Sequence, residues 1–422
     1  MNYNSRFIFP LSFSVIFLTL YRTSWFPFKS FLIDYIYVII FFIFILLFVA
    51  SVDFDKFLRI EFYLYRKDFF YLNILIFLLI IVFVFFNSGD LTSIKGVFKV
   101  FSYIATFCIF YVILPKFLIF HPYYFEKFIK YIFILGSFTA IFGFFVLFAG
   151  ISPLERFKTL LTSYITHPNN VSIIFTYTTI TSLFYFYITK KRNSFLFNSF
   201  VIFLVFVQLA AQFFSLTRAG MIACLFSFFI FLFVVYRNKM IIIVPLIVFT
   251  LSSVIVNFFI AKGFDSFLSR FLLLIPAYNM ITASTQSLLW GYGVVNVNKI
   301  FQGFMVLTNV LEQDIEDPHN SWVFLIMMFG ILVTLLIIYF IFKQVIVASI
   351  KLFEKLKNNE IDDYRMFYVA YLLSIILSLM LHGLFDAELV KTEFYSIQIF
   401  LVSISLLHRL NRDNLIAKFD FN

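Results

Sequence analysis

Residues 195–236 read FLFNSFVIFLVFVQLAAQFFSLTRAGMIACLFSFFIFLFVVY, and the only charged side chain among them is Arg218. As one straight helix this run would reach about 63 Å at 1.5 Å per residue, twice the hydrocarbon thickness of a bilayer. It is therefore two helices, with the turn expected at Thr217-Arg218. An ionisable group inside such a run is costly and is usually kept for chemistry or transport.

The rest of the chain has the same character. Its 422 residues are 63% hydrophobic and 13% charged, with a mean hydropathy of +1.00. A soluble domain is roughly half apolar and about a quarter charged, so the solvent for most of this chain is lipid. The 69 phenylalanines fit that solvent and carry no further message. Twelve runs are long and apolar enough to span: 7–21, 31–51, 69–87, 100–120, 129–150, 168–189, 195–216, 219–236, 240–260, 321–342, 366–382 and 394–408. No small-residue cleavage site follows the first, which reads as a retained span. Cys108 and Cys224 both lie in apolar runs, so neither a disulfide framework nor a cysteine metal cluster is expected. The expectation is one all-α polytopic domain over residues 1–422.

A net charge of +10 in a soluble protein would raise nucleic-acid binding. Here the cations are topology signals and no nucleic-acid partner is expected. With the N-terminus in the cytoplasm, 21 of the 32 Lys and Arg fall in inner loops and 11 in outer ones. The asymmetry puts both termini inside. One outer loop, 261–320, is far longer than the others, and loops of that length are usually functional. It combines an amphipathic stretch from Phe264 to Ile281, the turn Trp290-Gly291-Tyr292-Gly293, and the acidic residues Glu312, Asp314, Glu316 and Asp317. Helices lying along the outer membrane face over a cavity are the expectation.

No phosphate loop, HExxH helix, paired-cysteine zinc motif or Gly-x-Ser-x-Gly elbow is present, which argues against an ATP-driven pump and a membrane metalloprotease. The informative polar residues gather on the outer side. Arg218 lies in Ser215-Leu216-Thr217-Arg218-Ala219-Gly220. Its guanidinium is suited to a phosphate, which it grips with two parallel hydrogen bonds; an arginine snorkelling to lipid headgroups would look the same in sequence. Arg270 sits on the amphipathic stretch, and two arginines on one side could neutralise a diphosphate. His319, in Asp317-Pro318-His319-Asn320-Ser321-Trp322, precedes a helix start. An imidazole changes charge near neutral pH and can take a proton from a hydroxyl. Asp317 would orient that ring or begin the turn. Thr217, Asn320, His167, Asn169 and His382 are candidates for supporting or substrate-lining roles on the same side. No metal ligands and no cofactor are expected.

Three stretches resemble the O-antigen ligase and O-antigen polymerase superfamily (the Wzy and WaaL type). They are Thr217-Arg218-Ala219-Gly220 after an apolar span, Arg270 followed by Leu288-Leu289-Trp290-Gly291-Tyr292-Gly293, and Pro318-His319-Asn320-Ser321-Trp322 leading into Phe329-Gly330-Ile331. Leu288-Leu289 stands where many members have a proline. The resemblance covers roughly residues 165–345 and the twelve-span layout. It implies a GT-C-like helical bundle in the bacterial inner (cytoplasmic) membrane, with its active site facing the periplasm or exterior. It further implies a glycosyltransferase acting on an undecaprenyl-diphosphate-linked oligosaccharide donor, with Arg218 and Arg270 on the diphosphate and His319 as base. The acceptor is a second lipid-linked glycan if the enzyme is an O-antigen or capsule polymerase, and lipid A core sugar of lipopolysaccharide if it is a ligase. A lipid-linked glycan flippase is the alternative of a different class. It would show related halves and midplane polar groups; no related halves are evident, and the candidate polar residues gather at one face.

Overall fold

A computed structural model gives the fold. It describes residues 122–151, 168–236, 270–308 apart from 295, 317–357, 364–387 and 395–412, with residues 161, 162 and 389 and scattered positions between 103 and 118. The expected spans at 7–21, 31–51, 69–87 and 240–260 lie outside the described residues. So do His167 and the acidic residues Glu312, Asp314 and Glu316.

The described elements are helices: α1 Pro122–Ala149, α2 Pro168–Thr189, α3 Phe195–Phe214, α4 Arg218–Val235, α5 Leu274–Thr282, α6 Thr285–Trp290, α7 Val297–Leu307, α8 Ser321–Lys357, α9 Tyr364–Gly383 and α10 Tyr395–Arg412. Six of them, α1 to α4, α8 and α9, are long and apolar enough to cross a membrane, and α10 carries a shorter apolar stretch. The chain is thus an all-α, multi-pass membrane protein.

Burial orders the helices. In α2 and in α9, 83% of the apolar stretch is buried, against 33% in α3. The first two are central and the third faces lipid, with Phe195, Leu196, Phe200, Phe203 and Phe206 exposed. α2 contacts α1, α3, α4 and α9, and α4 lies along α9. Such a crowded helix needs small side chains at its contacts. α2 supplies them as Ser172, Thr176, Thr178, Thr179, Thr181 and Ser182, all buried. Several of their hydroxyls donate to carbonyls one turn back, Thr179 to Phe175 at 2.6 Å and Ser182 to Thr178 at 2.7 Å. Others cross between helices. Gln208 of α3 donates to Ser137 of α1 at 3.0 Å and to Ser182 at 2.9 Å, and Thr181 shares a hydrogen bond with Tyr371 of α9 at 3.0 Å.

The break between α3 and α4 runs from Ser215 to Thr217, with Leu216 in the left-handed region at φ 52°. Arg218 is the first residue of α4 rather than part of the turn. The apolar helix at 321–342 continues to Lys357 and contains a break that residue pattern did not suggest. Gly330 has φ 74° and ψ 173°, about 14 Å along α8 from Ser321 at 1.5 Å per residue. The break removes helical partners from the carbonyls of Met327 and Met328. Tyr292 N–H and Gly293 N–H take them, at 2.8 and 2.9 Å. Non-helical backbone is tolerated in an apolar environment only when protein satisfies it. Here the Trp290-Gly291-Tyr292-Gly293 turn does so, and it can approach because Gly291 and Gly330 lack side chains: a Cβ on Gly291 would sit 2.5 Å from the Met328 carbonyl oxygen.

Around that break α5, α6 and α7 form a second core with the start of α8. Leu273, Ala277, Met280, Phe301 and Met305 meet Phe324, Met327, Met328 and Phe329 there. Part of the long loop is thus threaded against α8 and does not simply lie over the bundle. Its outward side carries exposed Phe271, Leu272, Ile275, Tyr278, Val306 and Leu307, as expected of helices at a lipid interface.

Candidate functional site

Arg218 opens α4 behind a cap that does not use its own side chain. Thr217 makes no side-chain cap bond; its hydroxyl, buried, pairs with Ser215 Oγ at 3.1 Å. A cation at the first position of a helix faces the positive end of the helix dipole. Local stability would favour an acid there, so the arginine is not placed for the sake of the helix. The same end of the bundle holds the start of α2. Ser172 accepts from Gln212 Nε2 at 2.7 Å, and its side chain fills the space a Cβ on Gly220 would need. Asn169, half-buried, lies one turn before Ser172.

Arg270 begins the described part of the outer loop, and its Nη1 donates to the carbonyl of Phe385 at 2.6 Å. Burial is the larger influence on the Arg218 guanidinium and the like charge of Arg270 a smaller one. The two arginines, 52 positions apart in sequence, are therefore electrostatic neighbours.

His319 follows Pro318 in a tight turn with φ 49°. Asp317, buried, accepts from the His319 backbone N–H at 2.8 Å, and the same Oδ1 is 3.4 Å from His319 Nδ1. Asp317 thus closes the turn; it stands beside the His319 ring without a hydrogen bond to it. The His319 side chain is 29% exposed. Asn320 is the N-cap of α8, its Oδ1 accepting from Trp322 N–H and Val323 N–H at 3.0 Å each. Its Nδ2 donates to Leu384 O at 2.9 Å, and Ser321 Oγ donates to Asp386 O at 2.6 Å.

The short segment Leu384–Asp386 after α9 is the junction of these parts. Arg270, Asn320 and Ser321 each donate to one of its carbonyls. Gly383 lets it sit tightly, since a Cβ there would be 3.3 Å from Ser321 Cβ. His382, one residue earlier, is 1% exposed and feels the charges of both Asp386 and Arg270. So Arg218, Arg270, Asp317, His319, Asn320 and His382 come to one end of the bundle, with Thr217 and Asn169 beside them. Ser321 and Gly383 belong to this neighbourhood too, and the sequence argument assigned neither a role. The only signal for Ser321 was its place beside a cap residue; for Gly383, a lone glycine near a helix end.

Chemically, the arrangement offers two guanidinium groups at one end of the bundle and an imidazole beside a carboxylate. It can hold a multiply charged anion and move a proton. No protein-family model and no curated protein matches the chain. Its functional reading rests on these residues.

Proposed function

We propose that the chain is a membrane glycosyltransferase that polymerises undecaprenyl-diphosphate-linked oligosaccharide repeat units, of O-antigen or capsule type, on the outer face of the bacterial inner membrane. It would be a GT-C-like bundle of about twelve spans with both termini in the cytoplasm. The observation that carries the reading is that Arg270 and the turn bearing His319 are tied to one short segment, Leu384–Asp386, at the end of the bundle where Arg218 opens α4. Two like charges gathered in a largely apolar protein are a poor choice for stability and a good one for a diphosphate.

The reaction is a single displacement. The acceptor hydroxyl oxygen bonds to the anomeric carbon of the donor glycan as the bond from that carbon to the phosphate oxygen breaks. The electron pair leaves with undecaprenyl diphosphate, and configuration inverts. Arg218 and Arg270 stabilise the growing charge on the leaving group, an effect typically worth about 3–4 kcal/mol per well-placed donor. His319 takes the hydroxyl proton, with Asp317 stabilising the imidazolium. Arginine supplies the positive charge, so the reaction is expected to be metal-independent.

The test is purified protein in nanodiscs with an undecaprenyl-diphosphate tetrasaccharide and EDTA. Longer lipid-linked products and released undecaprenyl diphosphate are expected. Product formation only when lipid A core is added would assign the ligase reaction instead. Intact donor under both conditions would refute the glycosyltransferase reading.

A further inference from the structure

The parts of the candidate site are carried by two different cores. Arg218 opens α4, which lies along α9, and both helices belong to the core of the bundle through Phe231, Val234, Leu379 and Met380. Arg270 leads into α5 and His319 into α8. Leu273 and Ala277 on the first side, and Phe324 and Leu325 on the second, belong to the other core. The placement of Arg270 and His319 against Arg218 therefore depends on what joins the two cores at this end.

The join is residues 384–386. Their N–H groups face one core and their carbonyls the other. Leu384 N–H and Phe385 N–H close on the end of α9, at Leu381 O and His382 O, 3.2 and 3.0 Å away. The three consecutive carbonyls of Leu384, Phe385 and Asp386 accept from Asn320 Nδ2 at 2.9 Å, Arg270 Nη1 at 2.6 Å and Ser321 Oγ at 2.6 Å. Ser321 is fully buried, and Gly383 gives it room. Two residues before it, His319 has φ 49°. A non-glycine residue stays in that region only where its surroundings over-determine it. Asp317 holds the His319 N–H on one side, and the ties at Asn320 and Ser321 hold the chain on the other.

We propose that Ser321 is a positioning residue: its bond to the Asp386 carbonyl fixes His319 and Arg270, carried by the second core, against Arg218, carried by the bundle. The role rests on the glycosyltransferase reading and adds what sets the spacing of its parts. A misplacement of about 1 Å in such a constellation can cost about 100-fold in rate.

The experiment measures steady-state release of undecaprenyl diphosphate in nanodiscs by wild type, Ser321→Ala, Ser321→Thr, Asn320→Asp and Ser374→Ala. Ser374 is the control: fully buried, its hydroxyl donates to Ala370 O at 2.7 Å within α9, the same kind of bond away from the join. Ser321→Ala should lower kcat by about 10- to 100-fold. Its KM for the donor should change by less than about twofold, because both arginines remain. Ser321→Thr keeps the hydroxyl and should recover most of the kcat. Asn320→Asp keeps the cap of α8 but loses the donor to Leu384, so it should also lower kcat, and it keeps the test decisive if Ser321→Ala does not accumulate. Ser374→Ala should stay near wild type. Wild-type kcat in both Ser321→Ala and Asn320→Asp, a raised KM at unchanged kcat in Ser321→Ala, or an equal loss in Ser374→Ala overturns the positioning role while leaving the glycosyltransferase reading standing. A wild type that releases no undecaprenyl diphosphate overturns both.

Discussion

The two ends of the helical bundle treat positive charge differently. Around the α2–α3 turn, Arg192 meets Glu126 at 3.1 Å, Lys190 lies 4.2 Å from the centre of the Tyr187 ring, and Asn198 Nδ2 closes the turn on the Lys190 carbonyl at 2.9 Å. These are surface devices, each contributing about 1 kcal/mol or less. At the opposite end Arg218 feels Arg270 as a like charge, and Arg270 turns to a backbone carbonyl. One end pairs a cation with a carboxylate and an aromatic face; at the other, a cation is tied to a backbone carbonyl and has a second cation for an electrostatic influence. Departures from local stability of this kind are where function is expected.

The largest contrast between the ends should appear in turnover. Arg218→Ala and Arg270→Ala are each expected to lower release of undecaprenyl diphosphate by about 100- to 1000-fold, with membrane yield unchanged. Arg218→Lys should remain poor, because an ammonium cannot reproduce the two-pronged grip of guanidinium. His319→Ala should fall by about 100- to 10,000-fold if the imidazole is the base, and wild-type-like products from it would remove that assignment. Arg192→Ala should stay near wild type. Equal losses from Arg192→Ala and Arg218→Ala would erase the distinction between the ends.

Much of this was readable from residue order. Six of the twelve expected spans are seen among the described residues, and the break near Arg218 follows from length alone, displaced only because Arg218 enters the helix and Leu216 takes the left-handed turn position. Asn320 as a helix start followed from the residue types in Pro318-His319-Asn320-Ser321. The Gly330 break did not, because its cause lies in another segment: the carbonyls it frees are satisfied by Tyr292 and Gly293. A glycine in an apolar helix looks the same in sequence whether it packs, kinks or does neither. The Leu384–Asp386 junction was hidden for a similar reason. Its three ties use backbone carbonyls, which every residue has, so no residue type marks it.

The threaded turn makes a second comparison testable, now in stability. Gly330→Ala would hold alanine at φ 74°, costing about 1–3 kcal/mol in strain alone, and its Cβ would collide with the Leu289 carbonyl. A marked fall in melting temperature is expected. Gly303 in α7 has nothing within 4 Å of an added Cβ, and Gly303→Ala should stabilise by about 0.5–1 kcal/mol. Tolerance of alanine at 330 would show that Gly291–Gly293 does not depend on the α8 break.

A smaller effect separates the two jobs of Asn320. Asn320→Ala removes the cap and the tie to Leu384, and should lower stability by about 0.5–2 kcal/mol from the cap alone. Asn320→Asp keeps an oxygen for Trp322 N–H and Val323 N–H but loses the donor to Leu384. Its melting temperature should stay close to wild type, while Leu384–Asp386 loosens and amide exchange there speeds up. Exchange unchanged in the aspartate variant would mean that Arg270 and Ser321 hold the segment without Asn320.

The smallest effect belongs to the other end. Glu126→Gln deletes the acidic partner of Arg192, whose side chain is 44% exposed against 29% for Glu126. A pair this open is screened by water and salt, so the loss should be at most about 1 kcal/mol at low ionic strength and smaller at high salt. The measurement is melting temperature in nanodiscs at two salt concentrations. A loss of many degrees that salt does not diminish would show that this end, too, relies on a specific charge arrangement. The contrast with Arg218 and Arg270 would then lie in the sign of the neighbouring charge and no longer in what each end is for.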